Sequence, residues 1–166
     1  FRRVLFRSYP IAHPDLRRQW ARAAEAGRSV VDGYRPVLDD PAARPEEAWA
    51  VARLVTDAGH PAEALALHRF LVDHYRTGAG TTHPRGAARL RAALVNLGAA
   101  LWVQGDLDQA DAALAEAADR SREAHDEAQL QAAVGNLALV RRDRGDLDDA
   151  LALFAEDAEL CRRLGS

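Results

Sequence analysis

Apolar side chains recur at helical spacing through most of the chain. Leu90, Leu94, Leu97 and Leu101 stand three or four residues apart, and Leu130, Val134, Leu137 and Val140 follow in the same rhythm. The segments after them do likewise, with Leu107, Ala110, Leu114 and Ala117, then Leu147, Ala150, Leu151, Phe154, Ala158 and Cys161. Each segment has one apolar stripe, and the pattern predicts helices over 14–26, 45–58, 61–76, 86–104, 107–124, 127–144 and 147–164. Pro14, Pro45 and Pro61 open their helices, where the missing N–H would have no partner anyway. Gly105 and Gly145 end one helix, and Asp106 or Asp146 can cap the next. Turns this short give tight antiparallel pairs, with Ala110 and Ala150 where two backbones approach closely. Residues 28–43 carry Val30, Val31, Tyr34, Val37 and Leu38 at helical spacing, but Gly33 and Pro36 interrupt them. Residues 9–43 are therefore read as a degenerate helical unit.

The pattern repeats. Asn96-Leu97-Gly98 through Gly105-Asp106-Leu107-Asp108-Gln109-Ala110 returns 40 residues later as Asn136-Leu137-Ala138 through Gly145-Asp146-Leu147-Asp148-Asp149-Ala150. A fixed period of this size marks a helical repeat array. Such arrays bury each unit's apolar face against its neighbours and work chiefly by presenting a long surface to a partner. From Gly59 to Gly105 the spacing is 46, because Thr77-Gly78-Ala79-Gly80-Thr81-Thr82 adds a connector, and a longer loop costs little. Repeat units are expected over 44–80, 87–126 and 127–166 in an array cut short at both ends.

Composition supports helix and narrows the setting. Of 166 residues 48% are apolar and only 6% aromatic, with alanine and leucine dominant and β-branched residues sparse. All basic residues are arginine. Cys161 is the single cysteine, so no intrachain disulfide forms and a reducing cytoplasm is the expected setting. No run of 18 apolar residues suggests a membrane span. Residues 1–8, Phe-Arg-Arg-Val-Leu-Phe-Arg-Ser, match the translation of the end of a common short-read sequencing adapter and are set aside as non-native. Without that segment's three arginines, 19 basic residues face 25 acidic ones, a balance near −6. A surface of that sign argues against direct nucleic-acid binding.

The search for catalytic chemistry finds little. Gly78-Ala79-Gly80 lacks the lysine and following hydroxyl of a phosphate-binding loop. His68 and His74 are six apart on one helix and face different directions, which argues against shared metal ligation. Glu46-Glu47 and Asp148-Asp149 fall in first helical turns, where negative charge is favoured. Cys161 lies on an apolar stripe and reads as a core thiol. No cofactor or metal is expected.

The repeated residues resemble the tetratricopeptide repeat, in the longer bacterial and kinesin-light-chain-like variety with periods near 40 to 42. The match is carried by Leu97-Gly98, Gly105, Ala110, Leu114 and Ala117 in one unit and Leu137-Ala138, Gly145, Ala150 and Phe154 in the next. An earlier unit reads Val51-Ala52, Gly59, Ala64, and Gly80-Thr81-Thr82-His83-Pro84 with Ala87 is similar to the linker of the long variety. His68 departs where the family prefers an aromatic, and Arg141 and Asp157 replace apolar positions. The resemblance implies an all-α, right-handed solenoid of antiparallel helix pairs whose first helices line a concave groove. In that groove an asparagine often holds a peptide backbone, and Asn96 and Asn136 match the position. Trp49, Arg53, Trp102, Arg142 and Asp143 are expected on the same face, Trp102 either as an exposed anchor or packed within the superhelix. Val95 and Ala99 stand where a carboxylate-gripping constellation would need charge or amide, which argues against that subclass. By this resemblance the chain is a protein-interaction scaffold or sensor arm of a larger bacterial signalling protein, including multidomain NTPase regulators, with no enzymatic activity of its own. The rival readings are a stand-alone peptide-binding adaptor and a metal-dependent hydrolase using the histidines.

Overall fold

The computed structural model describes residues 34–57, 60–77, 79–82 and 85–165. Residues 1–8 and the helix expected over 14–26 lie outside the described residues. Among the described residues seven helices follow in order: α1 (Arg35–Asp39), α2 (Pro45–Asp57), α3 (Pro61–Arg76), α4 (Gly86–Gln104), α5 (Leu107–Glu123), α6 (Glu127–Arg144) and α7 (Leu147–Leu164), with a 3-10 turn at Ala79–Thr82. Among the described residues there is no strand and no helix long and apolar enough to cross a membrane. Of the irregular segment around Gly33 and Pro36, the described part forms the short α1, which buries Tyr34 and Val37.

The turns explain why the helices pair. Gly105 and Gly145 adopt φ of 86° and 91°, the left-handed conformation that glycine alone enters without a Cβ penalty. The next residue then reaches back five positions. Asp106 N donates to Leu101 O at 3.0 Å, Asp146 N to Arg141 O at 2.9 Å, and His60 N to Val55 O at 2.9 Å. The junction between α5 and α6 closes the same way, Asp126 N to Ser121 O at 3.0 Å, but there His125 takes the positive φ of 53°. Asp106 and Asp126 cap α5 and α6 by accepting from Gln109 N and Gln129 N at 3.2 and 3.1 Å. Asp146 makes no such cap, contrary to expectation, because its carboxylate pairs with Arg144 Nε at 3.1 Å.

Pairs α2/α3, α4/α5 and α6/α7 stack in sequence, each helix against the next, giving an α-solenoid. One continuous core runs through them, with Val51, Val55, Leu67, Leu71, Leu94, Leu114, Val134, Val140 and Leu160 fully buried. Ala110 and Ala150 are buried at helix crossings, as their position required. Gly98 is tighter still: a Cβ there would lie 2.5 Å from Leu114 Cγ, so the α4/α5 crossing depends on a missing side chain.

The polar departures from the repeat pattern come paired. Arg141 holds Asp111 in a two-pronged ion pair and reaches Asp149 at 2.8 Å. The hydrogen bond to Asp111 is the chief cause of the raised Arg141 pKa. Asp157 accepts from Gln131 at 2.6 Å. His68 is the exception. It is only 4% exposed, its Nδ1 has no hydrogen-bond partner, and burial lowers its pKa to about 4. The imidazole is thus enclosed in the core and neither solvated nor half-buried.

Candidate partner-binding groove

First helices and second helices meet their repeat neighbours differently. Helices α4 and α6 touch directly and are also linked by Trp102 and Asp143, whereas the second helices are joined by long side chains. Arg69 donates to Gln109 at 2.9 Å, Arg76 to Glu116 at 2.5 Å, and Arg122 to Glu156 at 2.9 and 3.0 Å. Arg76 and Arg122 hold equivalent places, as do Glu116 and Glu156, so one strap recurs along the array.

On the first-helix side α4 is buried nearly all round: Ala92, Val95, Asn96 and Ala99 lie on one face at helical spacing with 2–8% exposure, and Ala88 and Val103 at its two ends are more open. One repeat on, α6 presents Ala128, Ala132, Gly135, Asn136, Leu139 and Asp143 at the equivalent positions. Helix α2 contributes Glu46, Trp49, Ala50, Arg53 and Asp57. On α4 and α6 this face is rich in alanine, with Val103, Leu139 and Asp143 toward the helix C-termini.

The expected site residues fall on this face with different roles. Asn96 and Asn136 occupy equivalent turns of α4 and α6, but they are 6% and 7% exposed, so they sit in the floor and not at the rim. Asn136 Nδ2 donates to Ala132 O of its own helix at 2.8 Å, which commits part of the amide's donor capacity. Trp102 is half-buried against the core, and its Nε1 donates to Asp143 Oδ2 at 2.8 Å in the next repeat. Arg142 clamps the other oxygen of that carboxylate from Nε and a terminal nitrogen, at 2.9 and 2.8 Å. Trp102, Arg142 and Asp143 thus form one cluster, and the tryptophan both packs and reaches the groove edge. Arg53 is exposed and lies 3.8 Å from Asp57.

Trp49 turns partly away. Its ring lies 6.2 Å from that of buried Tyr75, whose hydroxyl accepts from Trp49 Nε1 at 3.4 Å. Arg89 completes this corner, donating to Tyr75 Oη at 2.7 Å and to Glu46, with its guanidinium 5.7 Å from the Tyr75 ring centre. Burial disfavours the Arg89 charge, yet the hydrogen bonds to Glu46 and Tyr75 outweigh it and raise the pKa.

Residues 90–128 and 131–164 match the family described as tetratricopeptide repeat. The chain carries tetratricopeptide repeats. No curated protein and no solved structure matches it. The two matched tetratricopeptide repeats are α4/α5 and α6/α7, the pairs that hold Asn96, Trp102, Asn136 and Arg142. In these repeats the groove also gains Val103 and Leu139, which the sequence reading did not single out. Their signal was the period itself, since Val103 precedes Asp143, and Ala99 precedes Leu139, by the same 40 residues as the asparagines.

Among the described residues the histidines are not brought together. His68 is enclosed in the core, while the His74 ring stacks on Phe70 at 5.5 Å and meets Tyr75 edge-on at 4.9 Å. Among the described residues no three of His, Cys, Asp and Glu gather as metal ligands.

Proposed function

We propose that the first-helix face of α2, α4 and α6 binds an extended segment of a partner protein, or of another domain of the parent chain, as the interaction arm of a bacterial cytoplasmic signalling scaffold without catalysis of its own. Tetratricopeptide repeats in general mediate protein-protein contact, which supports the class of partner. The observation that carries the reading is the aligned stripe of α4 and α6. Its small floor residues leave room for a peptide backbone, while Trp102, Val103, Leu139 and Arg142 stand beside it as apolar and cationic anchors. Because Asn96 and Asn136 sit in the floor, they act on the peptide backbone and not on its side chains. The charges of the face are locally matched, Arg53 with Asp57 and Arg142 with Asp143, so a mixed or apolar peptide fits better than a strongly charged one.

The test is a peptide selected by display against the 166-residue chain, with its affinity measured by fluorescence anisotropy. Asn96→Ala combined with Asn136→Ala should weaken binding about tenfold while helicity and melting are retained. Val103→Arg or Leu139→Arg should weaken it further by obstructing the groove. Unchanged affinity in all three variants removes the groove assignment.

A further inference from the structure

The two junctions between second helices share one plan but are filled differently. Between α3 and α5 a cleft of about 340 Å³ opens over the Leu97 and Leu101 side of α4, away from the groove face of that helix. The ties Arg69–Gln109 and Arg76–Glu116 cross from α3 to α5 at its two ends, with Asp73 and Ala113 on the walls between them. At the next junction, between α5 and α7, the chain itself occupies the equivalent space. Forty residues on, Leu153 stands in the place of Ala113 and packs against the core, and Arg141 stands in the place of Leu101. Arg141 pairs with Asp149, which replaces Gln109, and Asp119, which replaces Asp73, pairs with Arg122 at 3.1 Å. That junction holds a leucine side chain, and its charges meet opposite charges.

The first junction lacks each of these. Ala113 leaves the place of the leucine open. Arg69 meets the neutral amide of Gln109, which is itself turned to Asp106, and among the described residues Arg69 makes no ion pair. The Asp73 carboxylate, one turn along the same face of α3, has neither an ion pair nor a hydrogen bond among the described residues. We propose that this cleft binds a free aliphatic α-amino acid of the leucine class, with its carboxylate on the Arg69 guanidinium, its ammonium on Asp73 and its side chain over Leu97 and Leu101 beside Ala113. A carboxylate without the ammonium meets repulsion from Asp73, and an amine without the carboxylate meets repulsion from Arg69; the zwitterion satisfies both. The volume lies at the lower end of small-molecule clefts, which run from about 300 to 1,000 Å³, and so suits a ligand of metabolite size. The site is separate from the first-helix groove and does not depend on what that groove binds.

Titration of the isotope-labelled 166-residue chain with L-leucine, followed by NMR, tests the assignment. Saturable shifts in the millimolar range are expected at the backbone amides of Asp73 and Ala113 and at the side-chain amide of Gln109. Glycine, isocaproate and isoamylamine lack the side chain, the ammonium and the carboxylate in turn, and each should bind about tenfold more weakly or worse. Asp73→Asn should erase the preference for leucine over isocaproate, and Arg69→Gln the preference over isoamylamine; both positions are exposed, so the fold is spared. Ala113→Leu, which installs the side chain found at residue 153, should abolish binding. Ala112→Trp should do the same from an exposed position of the cleft wall, which keeps the test decisive if the buried change disturbs the helix pair. No saturable shift with leucine, a comparator bound as tightly as leucine, or leucine binding retained in both Ala113→Leu and Ala112→Trp overturns the proposal.

Discussion

Acid should loosen this protein through one residue before the bulk of its carboxylates titrate. His68 is buried with an unpartnered Nδ1 and a folded-state pKa of about 4, against 6.5 when exposed. Because the folded pKa is depressed, the unfolded chain binds the extra proton between these values, and stability falls as pH is lowered. The contribution is fully present above pH 6.5, is reduced by about 1 to 1.5 kcal/mol at pH 5.5, and by about 3 kcal/mol near pH 4. Against a total of about 5 to 15 kcal/mol for a domain, that is a large share. Urea denaturation followed by circular dichroism at pH 7.5, 6.5, 5.5 and 5.0 measures the profile. His68→Phe restores the aromatic character usual at this place in the repeat, and His68→Leu serves if the larger ring overpacks; either should flatten the profile between pH 7 and 5. The absolute stabilities of the variants do not matter. A wild-type slope identical to both variants in that window would show that His68 is not the group being titrated.

Three further outcomes follow from the packing. Gly98→Ala should lose about 1 to 3 kcal/mol in urea denaturation, because its Cβ would lie 2.5 Å from Cγ of the fully buried Leu114 side chain; a neutral result refutes the crossing. Asp126→Ala removes both the cap of α6 and the partner of Arg91, whose Nε is already unsatisfied and which pairs with Asp126 at 2.7 Å, so a loss of about 2 to 4 kcal/mol is expected. His125→Gly relieves a positive φ at a helix junction and should raise stability by about 0.5 to 1 kcal/mol, a gain visible as a higher melting temperature.

The repeat architecture was legible because its determinants are local. Proline at the first turn, glycine in the left-handed turn and leucine at three- and four-residue spacing each act within a few positions. Accordingly the expected helices over 61–76, 86–104, 127–144 and 147–164 coincide with α3, α4, α6 and α7. What the sequence concealed was which partner each polar side chain takes and how deeply the packing buries each face. Asp146 was a plausible cap until Arg144 claimed its carboxylate. Packing buried Asn96 and Asn136 more than a groove-lining residue suggests, and the pairing of α2 with α3 left Trp49 leaning on Tyr75. The direction of a helix face can be read from spacing. Its depth depends on how near the neighbouring repeat lies, and that distance is set by side chains 30 to 46 residues away.

The junctions between repeats also show how polar and apolar solutions interchange, and this yields a last prediction. At the first junction the equivalent places hold Leu101, in the buried core, and Leu65, half-buried against that core. At the second they hold Asp111 and Arg141, an ion pair with side chains 14% and 26% exposed. The two solutions are alternatives for one contact, so each residue is suited only to its own partner. Arg141→Leu alone leaves Asp111 facing an apolar surface with only the longer contact to Arg144 at 3.9 Å, and Asp111→Leu alone leaves Arg141 with Asp149. The first should lose about 3 kcal/mol and the second somewhat less, since an uncompensated buried charge costs more than a broken surface pair. The double change rebuilds the leucine pair of the first junction and should return stability to within about 1 kcal/mol of the starting chain or above it, a coupling that a double-mutant cycle in urea reads directly. Additive losses would mean that the two junctions do not share a common register, and the equivalence of Leu65 with Asp111 and of Leu101 with Arg141 would fall with it.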